Sequence, residues 1–313
     1  KLVKVLKKQS EKLWHTSNLY KNIDQELFAK ELCKKTFADK VFFTNSGAEA
    51  IECGLKVVKS YWNIKNKNKK NIITFNGAFH GRTFAALSAQ KNKKYSEGFT
   101  PLLKGFKNIP FNDEENLKKN INAQTAAILI EPIQGEGGIR PAKLSFLKYI
   151  RKICDKNNIL LFLDEVQSGF GRSGKLYSHE WAQIKPDILA TAKGIGSGFP
   201  LGACLATSKA CVGMTKGKHG STYGGNPLAV SVGREVLKII SNKKFLKKVD
   251  TVSRYFWKNL KNLENKYDEI IDVRGAGLLL GIKTKQNNII ISNKLKKNKL
   301  LTVPAGDNVI RLA

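Results

Sequence analysis

ILLFLDEVQSGFGR, residues 159–172, decides the fold. The apolar residues Ile159 to Leu163 run without a polar alternate into Asp164 and Glu165, and a Gly-bearing turn follows. AAILIE at 126–131 has the same form. Strands that read as unbroken apolar runs are buried on both faces, the habit of a mainly parallel sheet covered by helices. Around the strands Ala126–Ile130 and Ile159–Leu163, the pattern predicts others at Val41–Thr44, Ile72–Phe75, Ile188–Thr191 and Ala203–Thr207. Helical periodicity covers 24–35, 47–62, 143–157 and 227–241.

After about residue 243 the pattern changes. FLKKVDTVSRYFWKNLKNL reads as a Lys-rich amphipathic helix, followed by Ile270–Val273, GAGLLLGIK and a second Lys-rich helix. The expectation is an α/β fold with a large domain over 1–242, its sheet mixed but mainly parallel, and a smaller α+β domain over 243–313. KLVKVLKKQSEKLW predicts an opening amphipathic helix with Leu2, Val5, Leu6 and Leu13 on one face. The chain starts at Lys1 without a Met and stops inside NVIRLA, so a piece of a longer protein is expected.

Composition narrows the function classes. With 313 residues and 42% apolar content, the chain has ample material for a core and is not a disordered one. No apolar run approaches the roughly 20 residues that cross a bilayer, so no membrane partner is expected. The net charge of +30 raises nucleic acid as a partner. However, the cations are 47 Lys against 8 Arg, mixed with Asn as in NIKNKNKKN at 63–71, with no stripe of Arg and aromatics. A solvated Lys/Asn surface is the expectation, and no nucleic acid. Cys33, Cys53, Cys154, Cys204 and Cys211 are odd in number and lack CxxC spacing, which fits free thiols in a reducing compartment. The His residues never pair at i, i+4, so no metal site is signalled.

In open α/β sheets ligands bind beyond the carboxyl ends of strands, so residues directly after strands are the candidates. VFFTNSGAEA (41–50) ends a strand and opens a helix. Its Ser46-x-x-Glu49 is a capping box, and the N–H groups of Gly47 and Ala48 also suit a phosphate. Asp164 and Glu165 end a very apolar strand, either solvated by the next loop or with one carboxylate facing a buried cation. Lys193 follows a strand among Thr191, Ala192, Gly194 and Ile195. It either snorkels to water or has its charged form disfavoured, which suits Schiff-base chemistry. Ser221 and Thr222 precede a helix opening near Pro227, as a turn or as hydroxyl ligands for an anion. In AFHGRT (78–83), Phe79 offers an aromatic face and Arg82 a cation for a carboxylate. A phosphate cup, a carboxylate, an enclosed Lys and extra hydroxyls are the set that pyridoxal 5′-phosphate requires.

The same motifs carry a resemblance. LWHTSNLY (13–20), NSGAEA, FHGRT, EPIQGEGGIRPA (131–142), LDEVQSGFGRSGKL, ATAKGIGSGFPLGA, HGSTYGGNPLA, VRGAGLLLGI and VPAGDNVIRLA follow in order along the chain. In this it resembles the class-III aminotransferases of pyridoxal-phosphate fold type I. The resemblance implies that Lys193 holds the cofactor and shuttles the proton, and that Asp164 pairs with the ring nitrogen. Glu165, Val166 and Gln167 would lie along the ring, Phe79 would stack on it, and Gly47 and Ala48 would take the phosphate with Thr222 of a partner subunit. Arg82 and Ser221 would bind the acylated end of the substrate. Arg311 would take the α-carboxylate of glutamate or 2-oxoglutarate, with Glu136 as its counter-charge otherwise.

A cytosolic homodimer acting on amino-acid and 2-oxo-acid substrates is implied, leaning to the acetylornithine branch through HTSNLY and HGSTYGGNPLA. Ornithine, succinylated ornithine or diaminopimelate, and 4-aminobutyrate are the rival donors. A non-catalytic polyanion-binding protein is the rival of another class. Family members extend further at both ends, so both ends of the fold are expected to be truncated here.

Overall fold

A computed structural model describes residues 1–312. In chain order its strands are β1 (Lys40–Thr44), β2 (Asn71–Phe75), β3 (Phe106–Ile109), β4 (Thr125–Ile130) and the short pair β5 (Ile133–Gln134) and β6 (Arg140–Pro141). They continue with β7 (Leu160–Asp164), β8 (Ile188–Thr191), β9 (Gly202–Ala206), β10 (Ile270–Ala276), β11 (Leu279–Thr284), β12 (Val303–Ala305) and β13 (Val309–Leu312). The main sheet has the order β1-β9-β8-β7-β4-β2-β3. β9 alone runs against its neighbours, so the sheet is mixed but mainly parallel, as expected.

The apolar runs are explained by burial on both faces. Leu161 and Leu163 of β7 join Ile128 and Ile130 of β4 under the helices Ile23–Lys35, Leu144–Asn157 and Pro227–Ile240. Leu160 and Phe162 point the other way, with Ala127 and Leu129, against the helix Gly47–Ile64. Side chains on a strand alternate between faces, so two apolar layers leave no polar position to read.

A second, antiparallel sheet has the order β10-β11-β13-β12. The long helix Lys243–Lys266 packs on it through a small core of Leu260, Val273 and Leu280. Ile133 and Ile139 meet Leu279 and Val309, which ties the β5–β6 turn to this second sheet. That contact places Glu136 against Arg311.

Three expectations need correction. The opening helix ends at Ser10, so Leu13 lies beyond it and half-exposed, while only Leu2 and Leu6 of the proposed face reach the core. β3 was not foreseen, because FKNI is an edge strand with partly exposed polar positions. β7 extends one residue further than the apolar run, so Asp164 is a paired strand residue, opposite Ala190.

Gly54 marks the tightest helix–sheet approach on the Gly47–Ile64 side: a Cβ there would lie 2.2 Å from Phe162 Cζ. Gly54→Ala should therefore destabilise by about 1–3 kcal/mol, the usual cost of overpacking. Chemical denaturation checks this, and an unchanged midpoint would mean that the Phe162 ring yields freely.

Candidate active site

The carboxyl ends of β1, β2, β4, β7 and β8 share one edge of the sheet, and a cleft of about 830 Å³ opens there. Asp164 lies at its floor with 4% of its surface exposed. Its Oδ1 accepts the Val166 N–H at 3.1 Å, and its Oδ2 lies 2.8 Å from His80 Nδ1. An ionised carboxylate only accepts, so His80 carries its proton on Nδ1. His80 is itself fixed by its backbone N–H, which donates to Gln90 Oε1 at 2.8 Å. Sequence reasoning passed over His80, although it stands between Phe79 and Arg82, both singled out.

Glu165 does not belong to the cleft. Its carboxylate accepts the backbone N–H groups of Ser178 (2.6 Å) and His179 (3.0 Å), His179 Nδ1 (2.8 Å) and the Ser168 hydroxyl (3.2 Å). The placement of Glu165 along the cofactor ring is therefore corrected. Adjacent residues at a strand end point to opposite sides, so only one of the two carboxylates reaches the cleft.

Lys193 opens a short turn directly after β8, with φ of 46°, a left-handed backbone that few non-glycine residues adopt. It reaches into the cleft and is open to that space, while the cleft walls limit its hydration as its apolar neighbours suggested. The cleft walls still hold its pKa below the ordinary lysine value, chiefly by restricting hydration, with the Arg311 charge adding to this against Asp164, Glu136 and Glu131.

A second acid, Glu131, follows β4 at the back of the cleft and is buried. Burial pushes its pKa well above the usual carboxylate range, with the Asp164 charge adding to the effect. Its oxygens accept the Phe79 N–H at 2.8 Å and the Gly135 N–H at 3.3 Å. Sequence reasoning missed it, though an acid directly after an entirely buried strand was a readable signal.

At the cleft mouth, Arg311 Nη1 donates to Glu136 Oε1. Oriented by the donors around it, Gln167 Oε1 accepts from Lys193 Nζ at 2.9 Å and from Arg311 Nη1 at 3.2 Å. The helix Gly47–Ile64 points its start at the same space. The Ser46 hydroxyl caps it by accepting the Glu49 N–H at 3.3 Å, while the Glu49 carboxylate reaches back to the Asn45 N–H. The Gly47 and Ala48 N–H groups, first in the helix, have no intrahelical partner. Phe79 and Arg82 line the opposite wall, the Arg82 guanidinium 4.0 Å from the Tyr95 ring centroid and 5.4 Å from that of Phe79.

Ser221 and Thr222 stand outside this cleft. The Ser221 hydroxyl accepts from Asn45 Nδ2 at 3.1 Å and from the Gly224 N–H at 3.0 Å, while Thr222 is exposed. Among the described residues no group of His, Cys, Asp and Glu could hold a metal, and no helix is long and apolar enough to cross a membrane.

A lysine, an acid and an anion-binding helix start in one cleft match a known family. The family described as aminotransferase class-III covers residues 1–313. The chain belongs to the class-III aminotransferases. An acetylornithine aminotransferase of Agrobacterium fabrum is 53% identical to it over 99% of this chain and 78% of its own length. The structure of N-acetylornithine aminotransferase from Stenotrophomonas maltophilia superposes with a TM-score of 0.86 at 36% identity, covering 99% of this chain and 79% of that one. The ornithine aminotransferase of Toxoplasma gondii, described with partial occupancy of PLP at its active site, has a TM-score of 0.95 at 30% identity, with 99% and 76% covered.

In this class-III aminotransferase the two adjacent carboxylates should respond differently to substitution. Glu165→Gln leaves buried donors without their acceptor and should destabilise the fold by about 1–3 kcal/mol, without altering cofactor affinity. Thermal unfolding and a cofactor titration separate the two effects. A selective loss of cofactor affinity would return Glu165 to the cleft.

Proposed function

We propose that the chain moves the terminal amino group of N2-acetylornithine to 2-oxoglutarate, giving N-acetylglutamate 5-semialdehyde and glutamate, with pyridoxal 5′-phosphate as cofactor and as a homodimer. The carrying observation is the Arg311–Glu136 pair beside Lys193. One site must accept glutamate, with two carboxylates, and an acylated ornithine, whose reacting amine lies on an uncharged arm. A bare Arg311 would serve the first and leave a costly unpaired charge facing the second. Glu136 supplies a counter-charge for the acetylornithine half of the cycle and gives way to the glutamate α-carboxylate in the other half. The acetylornithine name carried by relatives about half identical to this chain supports the choice of donor.

The cleft fits pyridoxal phosphate on its own geometry. A Cβ at Gly47 would lie 2.7 Å from Val166 Cγ1, so the chain keeps a glycine where the phosphate-binding helix start meets the residue flanking the ring. The Gly47 and Ala48 N–H groups would hold the phosphate, the Asp164 carboxylate would keep a proton on the ring nitrogen, and Phe79 and Val166 would enclose the ring. When bound, the cofactor supplies an electron sink for the electrons left at the amino-bearing carbon. Lys193 Nζ anchors the cofactor and then moves the proton at that carbon. Its lowered pKa leaves more of the amine neutral and able to accept a proton at physiological pH. Arg82 takes the far carboxylate of either substrate, on a shelf formed by Phe79 and Tyr95.

Thr222 and Ser221 are assigned to the cleft of a second subunit. Both lie outside their own chain's cleft, on an exposed loop pinned to Asn45 beside the phosphate-binding helix start.

Glu136→Gln is the test. Half-reactions followed by stopped-flow absorbance should show a several-fold loss with acetylornithine, while that with glutamate is kept or improved. Equal losses with both substrates would reduce Glu136 to a structural part of its turn.

A further inference from the structure

The turn that carries Glu136 is rich in glycine, yet it is tightly held. The Glu136 carbonyl accepts the Gly306 N–H at 2.8 Å, and the Gly138 carbonyl accepts from Arg274 Nε at 2.8 Å. The Gly135 N–H donates to buried Glu131. A Cβ at Gly137 would lie 2.2 Å from the Gly77 carbonyl oxygen, and one at Gly138 would lie 2.4 Å from that of Gly306. The glycines allow close approach of three backbones, so the turn is wedged between the segment after β2 and the second sheet. Glu136 therefore leaves Arg311 by rotating its side chain, with the backbone in place.

A carboxylate released from a partly buried arginine needs another positive partner. Glu136 lines two spaces: the main cleft and a neighbouring cavity of about 660 Å³. Arg140 lines that second cavity. It sits on β6, directly opposite Gln134 of β5, so the hairpin that presents Glu136 also presents Arg140. The ion pairs nearby join Arg311 to Glu136, and Arg274 and Lys283 to Asp307; among the described residues none involves Arg140. Its guanidinium rests 5.5 Å from the Phe111 ring centroid, which holds it at the cavity wall. Lys94, the cavity's other unpaired cation, is exposed on a separate short helix.

We propose that Arg140 receives the Glu136 carboxylate when a dicarboxylate substrate occupies Arg311, and so sets specificity by acting through Glu136. The proposal rests on the switch described above. On this account Glu136 exchanges one guanidinium for another within its own hairpin, and no charge is left bare in either state. Arg140 touches neither cofactor nor substrate; it lowers the cost of clearing Arg311.

The test is a double-mutant cycle on the dissociation constant of glutarate, a non-reacting dicarboxylate, measured by calorimetry on the cofactor-loaded enzyme. Arg140→Gln should weaken glutarate binding by roughly fivefold, the scale of one partly exposed charge pair. Arg140→Lys should stay within about twofold of the parent, because the charge is kept. In the Glu136→Gln background there is no carboxylate to rehouse, so Arg140→Gln should change binding by less than about twofold. An equal weakening in both backgrounds would mean that Arg140 contacts the ligand directly, and no weakening in the parent would mean that Glu136 needs no second cation. Either result overturns the proposal while leaving the switch standing. Glu136→Gln alone should keep or tighten glutarate binding; if it clearly weakens it, the switch itself fails and the role of Arg140 with it.

Discussion

Asp164 ends a strand buried along its whole length, and the geometry of the cleft follows from keeping its charge there. An ionised carboxylate with 4% of its surface exposed costs several kcal/mol unless donors meet it. The Val166 N–H supplies one, which bends the chain after β7 and puts Val166 and Gln167 on the cleft wall. His80 supplies the other, which fixes the segment after β2 and with it Phe79 and Arg82. Two of the cleft's walls are thus placed by the oxygens of one carboxylate. Lys193, in the turn that follows the neighbouring strand β8, lines the same cleft.

A second constraint acts at the cleft mouth. Arg311 comes from β13 and Glu136 from the β5–β6 turn, two elements joined by a small apolar contact of Ile133, Ile139, Leu279 and Val309. The second sheet thereby serves as a scaffold that presents one arginine to a cleft built elsewhere. Glycine in this turn permits close packing rather than motion, as the short backbone approaches at Gly137 and Gly138 show. Specificity then depends on a side chain choosing between two guanidinium groups.

The sequence made much of this legible, for identifiable reasons. Strands buried on both faces are unbroken apolar runs, and the residues that end them, Thr44, Ile130, Asp164 and Thr191, lie on the cleft edge of the sheet. Ser46 and Glu49 carried the helix start through their capping chemistry. The edge strand β3 stayed hidden because half of FKNI is polar. Glu165 was set along the ring by the resemblance, where strand alternation sends it to the side opposite Asp164. His80 owes its position to Asp164, far along the chain, and local pattern does not report such a contact, whereas Glu131 was readable from its place directly after a buried strand.

The central claim is that Lys193 and Asp164 frame one pyridoxal phosphate. Borohydride reduction of the cofactor-loaded protein, followed by peptide mapping, tests it most directly. The account predicts a single reduced adduct on Lys193, and its loss in Lys193→Ala with the fold intact by circular dichroism. An adduct on any other of the chain's lysines, with Lys193 unmodified, would contradict it.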